Sequence, residues 1–364
     1  MNIYDFYKNK KVLVTGHTGF KGSWMCMLLK TLGADVIGYS LDIPTSPSMF
    51  ELCRIKDFVK HYEGDIRDLD CLKEVFLKEK PEIVIHMAAQ PIVRYSYKEP
   101  VYTFDVNVMG TVNVLECVRI TESVKSFVNV TTDKVYLNRE LNIPFKEDEM
   151  LCGFDPYSNS KSCSELVTYS YKNSFFGGDT GVMPGGRMVA VSTCRAGNVI
   201  GGGDFASDRI IPDCVRAILK KEDIIVRNPY SIRPYQHVLE PVYVYLKLAA
   251  LQYDDLLYAD SYNVGPNDFD CVNTGDLVNK FCDKWNSYNA FNFKLNWKNI
   301  SDVGPHESSF LKLDSSKARE KLSWKPRWSI DEALDSIIEW TDAYCANKDI
   351  IFVVNNQIKK FLHD

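Results

Sequence analysis

The chain has 364 residues, of which 45% are hydrophobic, and a formal net charge of −5 from 43 Lys and Arg against 48 Asp and Glu. It is long enough to bury a large core in one big or two modest domains. The near balance of charge, with basic pairs no longer than Lys10-Lys11 and Lys220-Lys221, argues against a nucleic-acid surface, and no run approaches the roughly 20 apolar residues of a membrane span. Eleven cysteines with no C-x-x-C pair read as reduced, mostly buried thiols rather than metal ligands, so a cytoplasmic protein without a bound metal is expected.

Lys10 to Thr15 is a short β-branched run that flows into Gly16-His17-Thr18-Gly19-Phe20-Lys21-Gly22 and then a helical stretch from Ser23 to Leu32. Strand, glycine turn and helix in that order let backbone approach a pyrophosphate at a helix N-terminus. Asp35 to Leu41 reads as the second strand, which places Ser40 where the adenosine ribose of a dinucleotide would lie. No Lys or Arg follows before Arg54, so a 2′-phosphate finds no cation and NAD is expected over NADP. Gly64-Asp65-Ile66 closes the third strand, where Asp65 either meets the adenine or serves the helix that starts near Leu69.

Glu82 to Met87 is a fourth buried strand, ending in Ala88-Ala89-Gln90, small residues against which a flat cofactor can lie. Asp105 to Ile120, with Asn107, reads as a helix, and Phe127 to Val130 as the strand that delivers Thr132, Asp133 and Lys134. Alternating strands and helices without an internal repeat predict a Rossmann-type doubly wound parallel sheet. The glycine-rich segment from Phe176 to Gly186 is expected to be a surface excursion, because no strand precedes it. Met188 to Cys194 is a further strand. Beyond Asp204 alternation is lost among separated arginines, which suit a phosphorylated ligand. Later elements are a strand near Tyr258 to Gly265, a helix from Thr274 to Trp285, a short strand from Phe293 to Trp297 and a closing helix from Asp331 to Tyr344. The expected division is a cofactor domain over residues 1–198 and 236–266, with a smaller, interleaved C-terminal substrate-binding domain over 199–235 and 267–364.

Tyr157 and Lys161 are four residues apart and therefore share one helix face. A phenol beside an ammonium can act as a base toward an alcohol, because the cation favours the phenolate. Strand ends such as that at Thr132 are where ligands of open α/β sheets bind.

Thr15-Gly16 with Gly19 and Gly22, Gly64-Asp65-Ile66, Ala88-Ala89, Asn107, the Tyr157/Lys161 pair, Arg195 to Asn198 and Leu322 to Pro326 together resemble the extended short-chain dehydrogenase/reductase family, and within it the nucleotide-sugar 4,6-dehydratases. The lysine of Thr132-Asp133-Lys134, where many relatives carry glutamate, resembles the branch that acts on CDP-glucose, as do the strings around His17-Thr18, Gln90 to Arg94, Gly197 to Asp204 and Gln236 to Pro241. The resemblance implies bound NAD held by Gly16, Thr18, Gly19, Phe20, Lys21, Gly22, Ser40, Asp65, Ile66, Ala88, Ala89, Gln90, Asn107, Tyr157 and Lys161. It implies C4 oxidation, loss of water across C5 and C6, and hydride return to C6, giving a 4-keto-6-deoxy sugar for deoxysugar biosynthesis. Tyr157 with Lys161 and Thr132 would serve C4, Asp133 would be the acid at C6, and Lys134 holds the position associated with C5 deprotonation. Gln90, Arg94, Asn198, Arg209, Arg233 and His237 would face the nucleotide sugar, Arg233 at the diphosphate. After His306-Glu307 stand Ser308 and Ser309, where relatives place an arginine. The resemblance also implies a homodimer or homotetramer. Other readings are a dehydratase for another nucleotide hexose, a nucleotide-sugar 4-epimerase, which has no use for Asp133-Lys134, and a silent NAD sensor, which could dispense with Tyr157 and Lys161.

Overall fold

The computed structural model describes residues 2–178, 188–288, 293–300, 304 and 310–363. Strand β1 (Lys11–Thr15) leads through the glycine turn into α1 (Phe20–Thr31), followed by β2 (Asp35–Ser40) and β3 (Lys60–Glu63). Helix α2 (Leu69–Glu79) starts at Asp68, whose carboxylate accepts the Cys71 N–H at 3.1 Å and so satisfies one of the free donors of the first turn. Then come β4 (Ile83–His86), α3 (Gly110–Ile120), β5 (Ser126–Val130), α4 (Pro156–Phe175) and β6 (Ala190–Ala196). The second half carries α5 (Ile210–Lys220), α6 (Leu239–Asp254), β7 (Ser261–Val264), α7 (Thr274–Tyr288), α8 (Ile330–Cys345) and α9 (Ile350–His363).

The seven strands pair in the order β7-β6-β5-β4-β1-β2-β3, all parallel. Val12, Leu13 and Val14 of β1 and Ile83, Val84 and Ile85 of β4 are fully buried, as a sheet covered on both faces requires. One face packs on a core that includes Trp24, Tyr245, Trp340 and Phe361, the other on Leu72, Phe76, Leu115 and Phe127. Strand order reverses between β1 and β4, which opens a crevice at their C-terminal ends.

A smaller apolar core joins α5, α7 and α8 through Ile211, Ile218, Phe281, Trp285, Leu334 and Ile337. Each such aliphatic side chain contributes about 1.5–3 kcal/mol when fully buried, so this layer holds its own position above the sheet edge. Ser329 and Glu332 form a reciprocal cap at the start of α8. Short strand pairs fringe the layer: Ile224–Val226 with Trp297–Asn299, and Ile232–Arg233 with Val272–Asn273.

Several elements depart from expectation. Helices α5 and α6 run through the stretch beyond Asp204, where no helix was expected, and α9 follows the helix expected to close the chain. The strand expected at Phe293 to Trp297 lies at Trp297–Asn299. Of the glycine-rich segment, residues 179–186 lie outside the described residues, as do His306 to Ser309. Among the described residues no helix is long and apolar enough to cross a membrane, and no group of His, Cys, Asp and Glu could hold a metal ion. All eleven cysteines are free.

Candidate active site

The crevice is a cleft of about 1340 Å³ running from the glycine turn, past the end of β5, to α5 and the strand at Ile224–Val226. At its first end the backbone itself makes the wall. Gly16 has a φ of +75°, and a Cβ there would lie 2.8 Å from the Ala88 backbone; one on Gly22 would lie 2.2 Å from the Gly16 carbonyl oxygen. The turn can therefore close only with glycine at both places, and it aims the N-terminus of α1 into the cleft. Thr18 and Ser40 share a hydrogen bond of 2.7 Å between their hydroxyls, tying the turn to the end of β2. Gly19, Phe20, Lys21, Asp65, Ile66, Ala88, Ala89 and Gln90 line the same end. Asp65 is engaged by Arg67 at 2.6 Å, and Asp68 rather than Asp65 caps α2. A glycine cradle, a helix N-terminus and a wall of small residues fit a dinucleotide.

Asn107 stands behind this wall rather than in it. Its Oδ1 accepts the Gln90 N–H at 2.8 Å, and its amide donates to the Gln90 carbonyl at 3.1 Å and to Ser160 Oγ at 2.9 Å. It fixes Gln90 against α4. Both N–H donors of its amide are spent on these contacts.

At the end of β5 the chain turns sharply through Thr131 to Tyr136. Asp133 is fully buried; its Oδ1 accepts from Thr132 Oγ1 at 3.0 Å and from Lys134 Nζ at 2.9 Å. Asp133 Oδ2 meets no hydrogen-bond partner among the described residues and faces Gly197, where a Cβ would come within 3.2 Å. Helix α4 starts beside this turn because Asp155 caps it and Pro156 supplies its first position. Tyr157 and Lys161 thus lie beside the turn in the wall of the cleft, Lys161 Nζ donating to the Val130 carbonyl at 3.2 Å. These five side chains come together as the sequence predicts.

Their electrostatics are less simple than a phenol beside an ammonium. Burial pushes the Tyr157 phenol up to about 12, the Thr132 hydrogen bond pulling it back and Asp133 adding to the rise. Burial also lowers Lys161 from its ordinary 10.5 to about 8, opposed by the Glu165 carboxylate one turn along α4. Lys21, walled in at its ammonium although the residue keeps some exposure, is lowered to about 7 by burial, with Arg209 and Lys161 adding. Lys21, Lys161 and, from across the cleft, Arg209 thus lie within electrostatic reach of one another, which suits a ligand that brings negative charge.

On the far side Arg94, Asn198, Arg209 and Arg233 line the cleft. Arg209 pairs with Asp204 at 3.1 Å, and Asp208 bridges Arg227 at 2.7 Å and Arg94 at 4.0 Å. Arg233 is buried at the end of its short strand. His237 is not in the cleft, contrary to expectation. It is fully buried between Trp24 and Trp328, ring centroids 5.6 and 4.8 Å away, and burial lowers it to about 3, so it is a neutral core residue. Sequence reasoning also passed over Glu165, buried and bonded to Arg195 at 2.9 Å. Its only sequence signal is its place four residues beyond Lys161, on the same helix face.

Residues 13–337 match the family profile described as GDP-mannose 4,6 dehydratase. The chain belongs to that family. A "CDP-glucose 4,6-dehydratase" of Salmonella typhimurium is 44% identical over 359 residues, covering 98% of each chain. Among solved structures, a dTDP-glucose 4,6-dehydratase from Bacillus anthracis in complex with NAD superposes with a TM-score of 0.74 at 19% identity, covering 94% of this chain and 99% of that one. A UDP-glucose 4-epimerase from Thermotoga maritima with UDP-glucose gives 0.75 at 22% identity, covering 92% and 99%. The dehydratase family and this epimerase share the Rossmann-like fold, so the sheet alone does not separate them.

Proposed function

We propose that this chain dehydrates CDP-glucose to CDP-4-keto-6-deoxyglucose with a resident NAD. The observation that carries this reading is the Asp133–Lys134 pair at 2.9 Å beside Tyr157: an epimerase needs the phenol but has no task for a second acid–base couple. The 44% identity over nearly the whole chain to the Salmonella enzyme supports the sugar nucleotide. NAD held at the glycine turn supplies the oxidant for C4 and the reductant for C6.

Tyr157 removes the C4 hydroxyl proton while Thr132 holds the same oxygen, and Lys161 stabilises the phenolate. With a ketone at C4 the C5 proton becomes acidic. Elimination then needs a base at C5 and an acid at C6. Moving one proton along the contact from Lys134 to Asp133 creates both at once, a neutral amine and a protonated carboxyl. The amine takes the C5 proton, the carboxyl gives its proton to the leaving hydroxyl, water departs, and the starting ion pair is restored. Hydride return to C6 is then completed by a solvent-exchanged proton given to C5 by the Lys134 ammonium, which regains one from solvent as Tyr157 releases the C4 hydroxyl proton. Asp133 Oδ2, buried and with its lone pairs unengaged among the described residues, is the atom suited to that donation. Arg233 takes the diphosphate, with Arg209, Arg94, Asn198 and Gln90 around the sugar nucleotide. Gly16 to Gly22, Ser40, Asp65, Ile66, Ala88 and Ala89 hold the cofactor.

In this reading residues 1–198 and 236–266 form the cofactor domain and 199–235 and 267–364 the substrate domain. A second copy covers the exposed apolar side chains of Val101, Met109, Leu166 and Tyr169, which lie on and beside α3 and α4, giving a homodimer; sedimentation showing monomer at micromolar concentration contradicts this part. Eleven free cysteines support a cytoplasmic location. The test of the reading is a panel of nucleotide hexoses in deuterated water. Dehydration of the CDP sugar with solvent deuterium at C5 is expected; a 4-epimer without solvent label overturns it.

A further inference from the structure

The turn that carries Thr132, Asp133 and Lys134 is gripped at both flanks by one buried ion pair. On its near side Thr131 Oγ1 donates a short hydrogen bond to Glu165 Oε1. On its far side Arg195 Nη1 donates to Tyr136 Oη at 2.8 Å and its guanidinium lies 5.1 Å from the Tyr136 ring centroid. Glu165 and Arg195 themselves form a two-pronged pair, Nε to Oε1 and Nη2 to Oε2, both at 2.9 Å and both fully within the protein. Further bonds hold the pair in place: Thr193 Oγ1 donates to Glu165 Oε2 at 2.7 Å, and Arg195 Nη1 also donates to the Glu147 carbonyl at 2.8 Å. Tyr136 is locked in turn by its hydrogen bond to Asn263 Oδ1 at 2.7 Å and by stacking on Phe145, ring centroids 4.9 Å apart and planes nearly parallel.

The geometry points to Thr131 and Tyr136 as positioning residues for the elimination step, through which the Glu165–Arg195 pair holds the Asp133–Lys134 couple in register with the sugar. This rests on the dehydratase reading above. Neither side chain needs to touch the substrate. The planar, bidentate fork of Arg195 fixes direction as well as distance, and Glu165 sits on the same helix face as Lys161, so the turn and the base Tyr157 are referred to one rigid helix. The pair spans three elements: Glu165 comes from α4, Arg195 from β6, and the turn follows β5. A slip of the turn relative to α4 would displace both elimination groups, Asp133 and Lys134, together with Thr132, while the C4 base Tyr157 and its partner Lys161, which belong to α4, stay in place. Loss of the grip should therefore slow elimination more than C4 oxidation.

Thr131→Val and Tyr136→Phe each remove one flank contact and leave the ion pair whole. Thr193→Val removes a comparable hydrogen bond to Glu165 from the side that does not reach the turn, and is the control. The expected result for the first two variants is a fall in kcat of roughly tenfold, on the scale of a small misplacement, with KM and bound NAD unchanged. Reduced nicotinamide should build up on the enzyme during turnover, seen by its absorbance, and C5 deuterium uptake should slow in parallel. Thr131→Ser should restore kcat, and Thr193→Val should lower the melting temperature without changing kcat. The inference is overturned if Thr131→Val and Tyr136→Phe lose no more turnover than Thr193→Val, or if reduced nicotinamide does not accumulate in either. Failure of the wild-type protein to turn over the CDP sugar would count against the substrate reading instead, and the same comparison is then made with whichever nucleotide hexose it dehydrates.

Discussion

Lys161→Met should make the cofactor-free protein more stable while abolishing its activity. Burial holds Lys161 near 8 instead of its ordinary 10.5, so below pH 8 the folded state carries a buried ammonium that the unfolded state hydrates freely. At about 1.4 kcal/mol per pH unit, that difference costs the folded protein about 3 kcal/mol at neutral pH. Methionine keeps the shape and removes the charge, but loses the hydrogen bond to the Val130 carbonyl, worth about 1 kcal/mol. The net is a gain of about 2 kcal/mol, or about 3 °C in Tm for a chain of this length. The sign of the pH dependence follows from the lowered value. Between about pH 8 and pH 10.5 the unfolded lysine binds more protons than the folded one, so wild-type stability rises with pH through that window and the variant's does not. The advantage of Lys161→Met should therefore shrink to near zero by about pH 9.5. Urea unfolding of both proteins at neutral and at alkaline pH measures it. A variant less stable than wild type at pH 7, or a difference that does not change with pH, refutes the reasoning.

Tyr157→Phe keeps the buried ring and removes the phenol, so turnover should fall by roughly 100-fold or more with NAD binding retained, read by calorimetric titration beside steady-state rates. Gly197→Ala sets a methyl 2.4 Å from Pro234 Cγ and 3.2 Å from Asp133 Oδ2; kcat for dehydration should drop at least about tenfold as Asp133 is pushed aside, while NAD affinity stays within about twofold. NADP should bind at least about tenfold more weakly than NAD, because Ser40 is already engaged by Thr18 and offers a 2′-phosphate no cation; equal affinity by fluorescence titration contradicts this.

The sheet was legible because its strands are short apolar runs flanked by turn residues, and β1 with its glycine turn and β4 with Ala88-Ala89 fall where read. The weakest strand signal was β3, a polar edge strand (Lys60–Glu63) recognisable only by the Gly64-Asp65 that follows it. Helix α5 does carry a helical spacing in Ile211, Val215 and Ile218, but Pro212 and Arg216 obscured it among the scattered arginines. Helix α6 is buried over most of its surface, so it shows no amphipathic period to read. In the cleft, the five side chains around the end of β5 were visible in the four-residue spacing and the strand end. His237 was misjudged because adjacency to a ligand-like string does not reveal which way a two-residue strand faces; here it faces an aromatic core. Glu165 looks in the sequence like an ordinary charge, and Arg195 enters only as the start of the Arg195 to Asn198 string, with no partner. Their meaning arises only when α4, β6 and the turn after β5 meet.

The most direct test of the whole scheme follows one isotope. CDP-glucose carrying deuterium at C4 is incubated with the enzyme in ordinary water, and the product is examined by NMR. A deuteron in the new methyl group at C6, delivered within a single active site, is the result the account predicts. A 4-epimer that keeps the label at C4, or a 6-deoxy product whose label has been lost to solvent, contradicts it.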